Sequence, residues 1–489
     1  HFSYNSPPAS TISKNPEGIK METDQTRLAY LDNIRNFLVY NVVLLHILQI
    51  FAYPLLFWWA VIDKAGSSRF YETGLIAMDI YLMPCLLFIA ALFIFPSLKK
   101  VTPLEYMKNR FLRLCVPVIV FLFCAGDIFF QLLLTRLNSI PPTYLETFLN
   151  FWRSFANMPA IYFSGSEKTL YDLSFNFQYA WFLTFLFFIT LVVVLLSLPF
   201  RRKNSAPKEA DSRNKIIFKT IIFAAVLGFV YVAAMVYYVG HHINSSWWLI
   251  IGKVVQFRLN SIWLLLPLFL GGLYVYKKEW LTRGDIGSWK IWGGMSFILL
   301  AIYALLYHVR ILPVFDEILK VFEHNMMFND KMAMPVVTLS VKHVILVTWI
   351  LLPLICVFLL MFFLSFAKRF FDKPNAITTF CSKHSINVYI LHYIPVLLLQ
   401  YAFMNVPIPP IVKIILMTII IIPACLWLSH RLVYPYPKIA IAFFIALKLI
   451  ALAAGFTFYY FALLALIFIS FTGAVYESAR YMVVRKQIK

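Results

Sequence analysis

Residues 344–364 read VILVTWILLPLICVFLLMFFL and contain no charged side chain. A helix rises about 1.5 Å per residue, so a run of this length crosses a hydrocarbon core of roughly 30 Å. We count twelve such apolar segments, at residues 34–60, 74–95, 114–134, 180–199, 216–239, 260–276, 291–307, 338–366, 385–404, 411–429, 439–453 and 456–476. The pattern predicts an all-α fold, a polytopic transmembrane bundle of about 12 helices.

The overall composition also indicates a membrane environment. Hydrophobic residues make up 61% of the 489 residues and charged residues only 13%, and the mean hydropathy is +0.78. The net charge of +21 does not indicate nucleic acid, because the basic residues lie in short loops between apolar segments. We therefore expect a lipid bilayer and no nucleic acid as partners. The six cysteines show no paired or CxxC spacing, which predicts neither disulfides nor a metal site.

Basic residues concentrate in every second loop. If residues 1–27 form a disordered cytoplasmic tail, the basic loops lie around 99–113, 201–219, 277–290, 368–383 and 480–489. The positive-inside rule then places both termini in the cytoplasm. Two opposite loops, at 135–179 and 308–337, are long. The first is rich in aromatic residues, which suit either sugar rings or the membrane interface.

Arg35 and His46 are the strongest candidate pair. Ionisable groups inside a bilayer cost roughly 2.5 to 3.5 kcal/mol each on insertion scales, so those present are functional candidates. The two residues are eleven positions apart in one apolar segment, which places them on one helix face. Arg35 suits an anionic donor at a cavity mouth, with Asp32 placed to hold it, and His46 suits a general base. A lone buried histidine more often packs between helices, but Arg35 on the same face favours catalysis.

Two further clusters carry polar groups at helical spacing. Arg110 and Arg113 lie one turn apart and suit a phosphate clamp, although basic residues also anchor helix ends in a membrane. Ser385, Tyr389 and His392 share one helix face, which either lines a cavity or bonds a neighbouring helix.

Other polar or small residues in apolar segments have two interpretations. Asp79 and Asp127 are either acids of an outer cavity or partners of an arginine. The Gly271–Gly272 pair predicts close helix packing. Lys448 lies late in the eleventh segment, and the turn that follows is short, so the last two segments are either two spans or a re-entrant hairpin.

Four motifs resemble those of one known family. The stretch LDNIR (31–35) followed by VVLLH (42–46) resembles the first helix of the acyltransferase 3 family, whose signature is an Arg and a His separated by ten residues. The basic segment 110–117, YAWFL (179–183) and the serine-tyrosine-histidine pattern of 385–392 follow in the family's order. The resemblance covers residues 28–430 and looks closest to the branch of glucan biosynthesis protein C.

The resemblance implies an activity and a division of the chain. The family moves an acyl group, here acetyl or succinyl, from cytoplasmic acyl-CoA to a hydroxyl of an extracytoplasmic glycan, usually in the bacterial inner membrane. On this basis we expect an acyltransferase domain at 28–437, two extra C-terminal helices at 438–478 and a cytoplasmic tail at 479–489. Acyl-CoA is the donor substrate and a carbohydrate the acceptor, with no permanently bound cofactor.

The resemblance also assigns roles to individual residues. Arg35 and His46 are the implied essential residues, and Arg110 and Arg113 the implied contacts of the CoA phosphates. The residues that we expect to line the cavity are Asp32, Trp181, Ser385, Tyr389 and His392. Direct transfer with His46 as base and a route through an acyl-His46 intermediate both agree with the sequence.

A transporter or flippase for a glycolipid or organic anion is the main alternative, because twelve helices with cytoplasmic ends describe many carriers. The sequence shows no symmetry between halves, and the loop between the second and third helices lacks the Gly-rich signature of major facilitator carriers. A receptor or structural subunit would not account for the pairing of Arg35 with His46.

Overall fold

The computed structural model of the chain describes residues 28–53, 59–139, 143–164, 180–198, 211–241, 243, 248–314, 316–317 and 339–487. Each of the twelve predicted segments contains a helix in these ranges, which confirms an all-α polytopic bundle. Nine helical stretches in this described part are long and apolar enough to cross a bilayer, and a bent helix pair makes a tenth. The other two apolar helices have 17 and 16 residues.

The helices and strands follow one another along the chain with short turns between most of them. The first half contains α1 (Ala29–Leu48), α2 (Arg69–Leu92), α3 (Ile94–Leu98), α4 (Pro103–Arg110), α5 (Val116–Arg136), α6 (Tyr144–Asn157), β1 (Ile161–Ser164), α7 (Trp181–Ser197) and α8 (Arg213–Gly240). The second half contains β2 (Trp248–Ile251), β3 (Val255–Arg258), α9 (Ile262–Lys277), α10 (Trp289–Leu306), α11 (Leu339–Phe370), α12 (Ala376–Leu391), α13 (Tyr393–Phe403), α14 (Pro410–Leu428), α15 (Pro437–Ala454) and α16 (Phe456–Gln487).

Helix α1 lies at the centre of the bundle. Its most apolar stretch is 72% buried, whereas the corresponding stretches of α10 and α15 are only 17% buried and face outward. Within α1 the side chains of Leu38, Val42, Val43 and Ile47 are fully buried. It packs against α2, α11, α12, α13 and α14. Residues of α1 are therefore screened from lipid by other helices.

The predicted close packing at Gly272 is confirmed. A Cβ at this position in α9 would lie 2.5 Å from the carbonyl oxygen of Phe88 and 2.9 Å from the Cβ of Ala91, both in α2. At neighbouring Gly271 the nearest side chains, Phe223 and Phe88, would be at ordinary contact distance, 3.7 Å and more. The backbones of α2 and α9 thus approach each other closely because position 272 carries no side chain.

The loops opposite the basic loops contain more regular structure than the sequence predicted. The segment 135–179 contains α6 and β1, and the loop between α8 and α9 forms a β2–β3 hairpin. Strand β2 pairs antiparallel with both β1 and β3. Tyr144 and Phe151 of α6 are buried against the bundle, so these two aromatic residues cap it. Tyr171 and most of the predicted loop 308–337 lie outside the described residues.

The last two predicted segments form separate helices, α15 and α16, each long and apolar enough to span a membrane. Lys448 of α15 is fully buried and donates to both carboxylate oxygens of Asp127, each at 2.7 Å, and to the hydroxyl of Tyr144 at 2.6 Å. Asp127 is therefore neither an acid of an outer cavity nor a partner of an arginine, and that prediction was wrong. The tail predicted at 1–27 lies outside the described residues, and α16 extends to Gln487.

Candidate active site

A recess of about 500 Å³ opens between α1, α2, α4, α7 and α12, and we call it the basic recess. Its polar lining consists of Arg35, Ser97, Lys100, Asn109, Arg110, Arg113, Ser385 and Tyr389, with Tyr106 beside them. Its apolar walls include Val39, Leu86, Phe182 and Leu183. Four cationic side chains around a cavity with an apolar interior suit a ligand that has an anionic end and an apolar end.

The helical turn that joins α4 to α5 explains why both predicted arginines, Arg110 and Arg113, face the recess. Pro117 has no N–H to donate to the carbonyl of Arg113, and the residues just before it, Phe111–Cys115, form a π-helical turn. Arg110 and Arg113 both line the recess from this widened stretch. The guanidinium of Arg110 also lies over the ring of Tyr106, 5.1 Å from its centre. Both guanidiniums are thereby directed at one cavity.

Arg35 is held at the recess by two partners. Its Nη2 lies 3.0 Å from Oδ1 of Asp32, as the sequence predicted, and donates to Oγ of Ser382 at 2.6 Å. The carbonyl oxygen of Ser382 accepts a further bond at 3.1 Å. About 29% of the Arg35 side chain is exposed, so its charge reaches the recess although its orientation is fixed. Asp32 lies behind this guanidinium and does not line the recess.

His46 lies deeper, among buried polar and aromatic groups. Its Nδ1 is 2.8 Å from Oε1 of Gln49, and since an amide oxygen only accepts, Nδ1 carries the proton and the lone pair is on Nε2. The indole of Trp59 stacks parallel to the imidazole, with ring centres 6.3 Å apart. Gln400 donates to the carbonyl of His46 at 2.7 Å and accepts from the indole N–H of Trp59 at 3.0 Å. This network sets both the tautomer and the orientation of His46.

The predicted ninth span is broken beside His46. Helices α12 and α13 meet at His392 with a bend of 59°. Pro395 lacks the N–H that would bond the carbonyl of Leu391, which accounts for the break. His392 is fully buried, its Nδ1 donates to the carbonyl of Val388 at 3.2 Å, and its ring centre lies 5.3 Å from that of His46. Two imidazoles therefore meet at a break in a membrane-spanning helix.

Tyr389 connects the basic recess to the two histidines. It lines the inner part of the recess, and its ring centre lies 5.8 Å from that of His392. Phe182, which also lines the recess, lies 5.9 Å from Tyr389. Ser385 lines the recess one turn before Tyr389 and donates to the carbonyl of Ser382. The chain of contacts thus leads from the four cations to His392 and then to His46.

Three predicted lining residues lie elsewhere, and Asp32, behind the guanidinium of Arg35, is the first of them. His392 packs on His46 beyond Tyr389 and is not part of the recess wall. Trp181 precedes Phe182 but packs edge-on against Trp248 of the β2–β3 hairpin, with ring centres 5.3 Å apart. The sequence analysis also missed Ser382, Gln49, Trp59 and Gln400, whose partners are mostly more than 300 residues away.

No cluster of three His, Cys, Asp or Glu side chains is arranged to hold a metal ion within the described ranges. The chemistry that this arrangement offers is proton transfer at an imidazole of fixed tautomer, together with anion binding by guanidiniums at the mouth of the recess.

Comparison with known proteins gives one match. The family model described as an acyltransferase domain matches residues 28–430, which is most of the chain and includes Arg35, His46, Arg110 and Tyr389. No curated protein sequence and no solved structure matches the chain. The chain belongs to the acyltransferase 3 family and is a multi-pass integral membrane acyltransferase.

Proposed function

We propose that this acyltransferase takes an acetyl or succinyl group from cytoplasmic acyl-CoA and transfers it to a hydroxyl of a glycan on the opposite side of the membrane. The observation that carries the proposal is the path from the basic recess through Tyr389 to His392 and His46. The recess is lined by Lys100, Arg110 and Arg113, which belong to the basic segment 99–113 that the positive-inside rule assigns to the cytoplasm. In this proposal the bacterial inner membrane is the setting.

The donor would bind with its phosphates near the four cations. A guanidinium binds phosphate through two parallel hydrogen bonds, and Arg110 and Arg113 are directed at the same cavity. The apolar walls, including Val39, Leu86 and Leu183, suit the pantetheine arm that joins the nucleotide of CoA to the thioester. The thioester would then reach Tyr389, next to the buried histidines.

His46 would act as the general base. The lone pair on Nε2 takes the proton of the acceptor hydroxyl while the hydroxyl oxygen attacks the carbonyl carbon of the thioester. The tetrahedral intermediate then collapses, the C–S bond breaks, and the CoA thiolate takes the proton back from the imidazolium. Gln49 stabilises the imidazolium through the proton on Nδ1. The products are a glycan ester and free CoA.

A route through an acyl-His46 intermediate is the second mechanism for the same reaction. In it the Nε2 lone pair attacks the thioester carbon directly, the CoA thiolate leaves, and the acceptor hydroxyl later displaces the imidazole. A quenched reaction of radiolabelled acetyl-CoA with the purified protein, without acceptor, distinguishes the routes, because only the second leaves label on the chain.

Binding of acetyl-CoA and succinyl-CoA to the purified protein, measured by calorimetry in detergent, tests the proposal. Saturable binding that is lost in Arg35→Ala and retained in Arg283→Ala supports it. Arg283 is a suitable control because its side chain is exposed and pairs with Glu279 away from the recess. If no acyl-CoA binds to a folded sample, the donor assignment fails, and a carrier for an organic anion becomes the better explanation of the recess.

A further inference from the structure

An ion pair lies on α2 outside the part of this helix that lines the basic recess, nearer the end that begins at Arg69. Asp79 belongs to α2, ten residues from Arg69, so it lies about 15 Å along the helix from that end. Arg69 pairs there with Glu72 and Asp316. Arg258, at the end of the β2–β3 hairpin, donates to Oδ2 of Asp79 at 3.3 Å. The hairpin thus brings a guanidinium to a carboxylate well inside the span of α2.

The exposure of this pair indicates water. The side chains of Asp79 and Arg258 are 54% and 32% exposed, although Asp79 lies far from either end of its helix. A charged group exposed to hydrocarbon at such depth costs several kcal/mol, and non-helical backbone is tolerated there only in protein or beside water. We therefore expect water beside the exposed faces of both residues, and we call this region the outer recess.

Aromatic side chains surround the ion pair. The guanidinium of Arg258 lies 5.4 Å from the ring centre of Trp248, and Trp248 in turn packs edge-on against Trp181. Both tryptophans are half-buried. A carboxylate accepts hydrogen bonds from neighbouring hydroxyls, a guanidinium donates to hydroxyl oxygens, and flat indoles pack against the C–H faces of a sugar ring. This combination suits a neutral carbohydrate better than an ion or a lipid chain.

The outer recess is also close to the reacting groups. Trp181 is followed by Phe182, which contacts Tyr389 at the inner end of the basic recess. These contacts connect the aromatic side chains around the ion pair to Tyr389, whose ring lies beside that of His392.

We infer that Asp79 and Arg258, with Trp181 and Trp248, form a subsite that binds the sugar ring of the acceptor and presents its hydroxyl to His46. The inference rests on the proposed function, which requires an acceptor from this side. Asp79 is a specificity-determining residue in this arrangement, and its partner Arg258 orients the carboxylate toward the ligand.

Two measurements test the inference. The first asks whether water reaches the ion pair, by labelling Asp79→Cys in intact cells with a charged, membrane-impermeant maleimide. The control is Phe229→Cys in α8, whose side chain is 76% exposed in the middle of a helix that faces lipid. Labelling at position 79 and none at 229 supports an outer recess, and absence of labelling at 79 overturns it.

The second measurement asks whether sugar binds there. Neutral glucose oligosaccharides of two to six units are added to purified protein in a detergent without a sugar head group, and binding is followed by saturation-transfer NMR. Asp79→Asn, which keeps side-chain size, and Arg258→Gln, which replaces the guanidinium by a shorter neutral amide, are expected to weaken binding about ten-fold or more, as loss of a charged hydrogen bond does. Glu146→Gln removes an exposed charge from α6 and is the control.

The outcomes separate this inference from the proposed function. Saccharide binding that is weakened by Asp79→Asn and not by Glu146→Gln supports the subsite, even if no acyl-CoA binds to the same protein. Absence of saccharide binding by the wild type, or equal binding by Asp79→Asn, overturns the subsite, even if acyl-CoA binds normally. If either of these two results overturns the subsite, the role left for the ion pair is to hold the hairpin on α2.

Discussion

Lys448 Nζ lies 2.7 Å from each carboxylate oxygen of Asp127, and both side chains are fully buried. Asp127 belongs to α5, inside the family match, whereas Lys448 belongs to α15, beyond residue 430 where the match ends. Removing one partner of a buried ion pair leaves a charge without compensation, which is strongly destabilising. The C-terminal helices are therefore part of the same folded unit as the acyltransferase domain.

Single substitutions in this pair should destabilise the protein more than a double substitution. We expect Lys448→Met or Asp127→Leu to lower the free energy of unfolding by about 3–5 kcal/mol, because each leaves one buried charge. The double variant should recover much of that loss, since two apolar side chains replace the pair. Thermal unfolding in detergent measures this, with Lys108→Met as the exposed control. A double variant no more stable than either single variant would contradict the prediction.

Gly272 and Gly271 provide a matched pair for the contact between α2 and α9. Gly272→Ala would force a Cβ against the backbone of Phe88, and we expect it to cost about 1–3 kcal/mol as an overpacked contact. Gly271→Ala meets its neighbours at ordinary distance and should be neutral or slightly stabilising. The same thermal unfolding assay compares them, and equal midpoints for the two variants would refute the close approach.

His46 should be required for transfer and dispensable for donor binding. We expect His46→Ala to lower the transfer rate by about 10²- to 10⁴-fold, the usual contribution of a general base. Gln49→Leu should cause a smaller loss of about ten-fold, because the proton on Nδ1 loses its acceptor. Calorimetry should give wild-type affinity for acetyl-CoA in both. Normal product formation by His46→Ala would exclude it as the base.

The recess arginines should recognise the phosphates of the donor. We expect Arg110→Ala and Arg113→Ala each to weaken acetyl-CoA binding by about ten- to one-hundred-fold, the effect of a lost charged hydrogen bond. Acetyl-dephospho-CoA, which lacks the 3′-phosphate, should bind the wild type more weakly and should be insensitive to the arginine that contacts this group. Equal losses for both donors in both variants would mean that neither arginine contacts the 3′-phosphate.

The membrane-spanning helices were predictable because hydropathy alone defines a membrane span, whereas α4 and α6, which lie in predicted loops, were not predicted. The end of the first predicted segment was wrong, since Ala52–Trp59 is apolar but not helical where described; its Trp59 packs on His46 instead. The sheet was missed because β1 and β2 are four-residue strands far apart in the chain, without a turn between them. Short paired strands leave little periodicity in a sequence.

The candidate site was predictable only where its residues share one helix. Arg35 and Asp32, or Ser385 and Tyr389, are related by helical spacing, and the structure brings each pair to the basic recess or beside it. Ser382 and Gln400 were missed because their partners in α1 are reached only through tertiary packing. The same holds for Lys448 and Asp127, which are 321 residues apart. When a polar residue bonds to another helix, the sequence around it does not indicate which residue is its partner.

The two faces of the protein differ in how much a substitution there disturbs the helical bundle, and the two short helices lie where they differ. Helices α7 and α9, with 17 and 16 residues, span only about 26 and 24 Å and begin beside the β2–β3 hairpin. On the basic face, the side chains that line the basic recess come from helices packed against one another, so a substitution there also disturbs the packing of the bundle. On the opposite face the hairpin is held by backbone hydrogen bonds within itself and to β1, so its exposed side chains are able to diverge while the helices remain unchanged. If the proposed function is correct, selection for a new acceptor would act on those side chains of residues 248–258 that are not buried, without altering the basic recess.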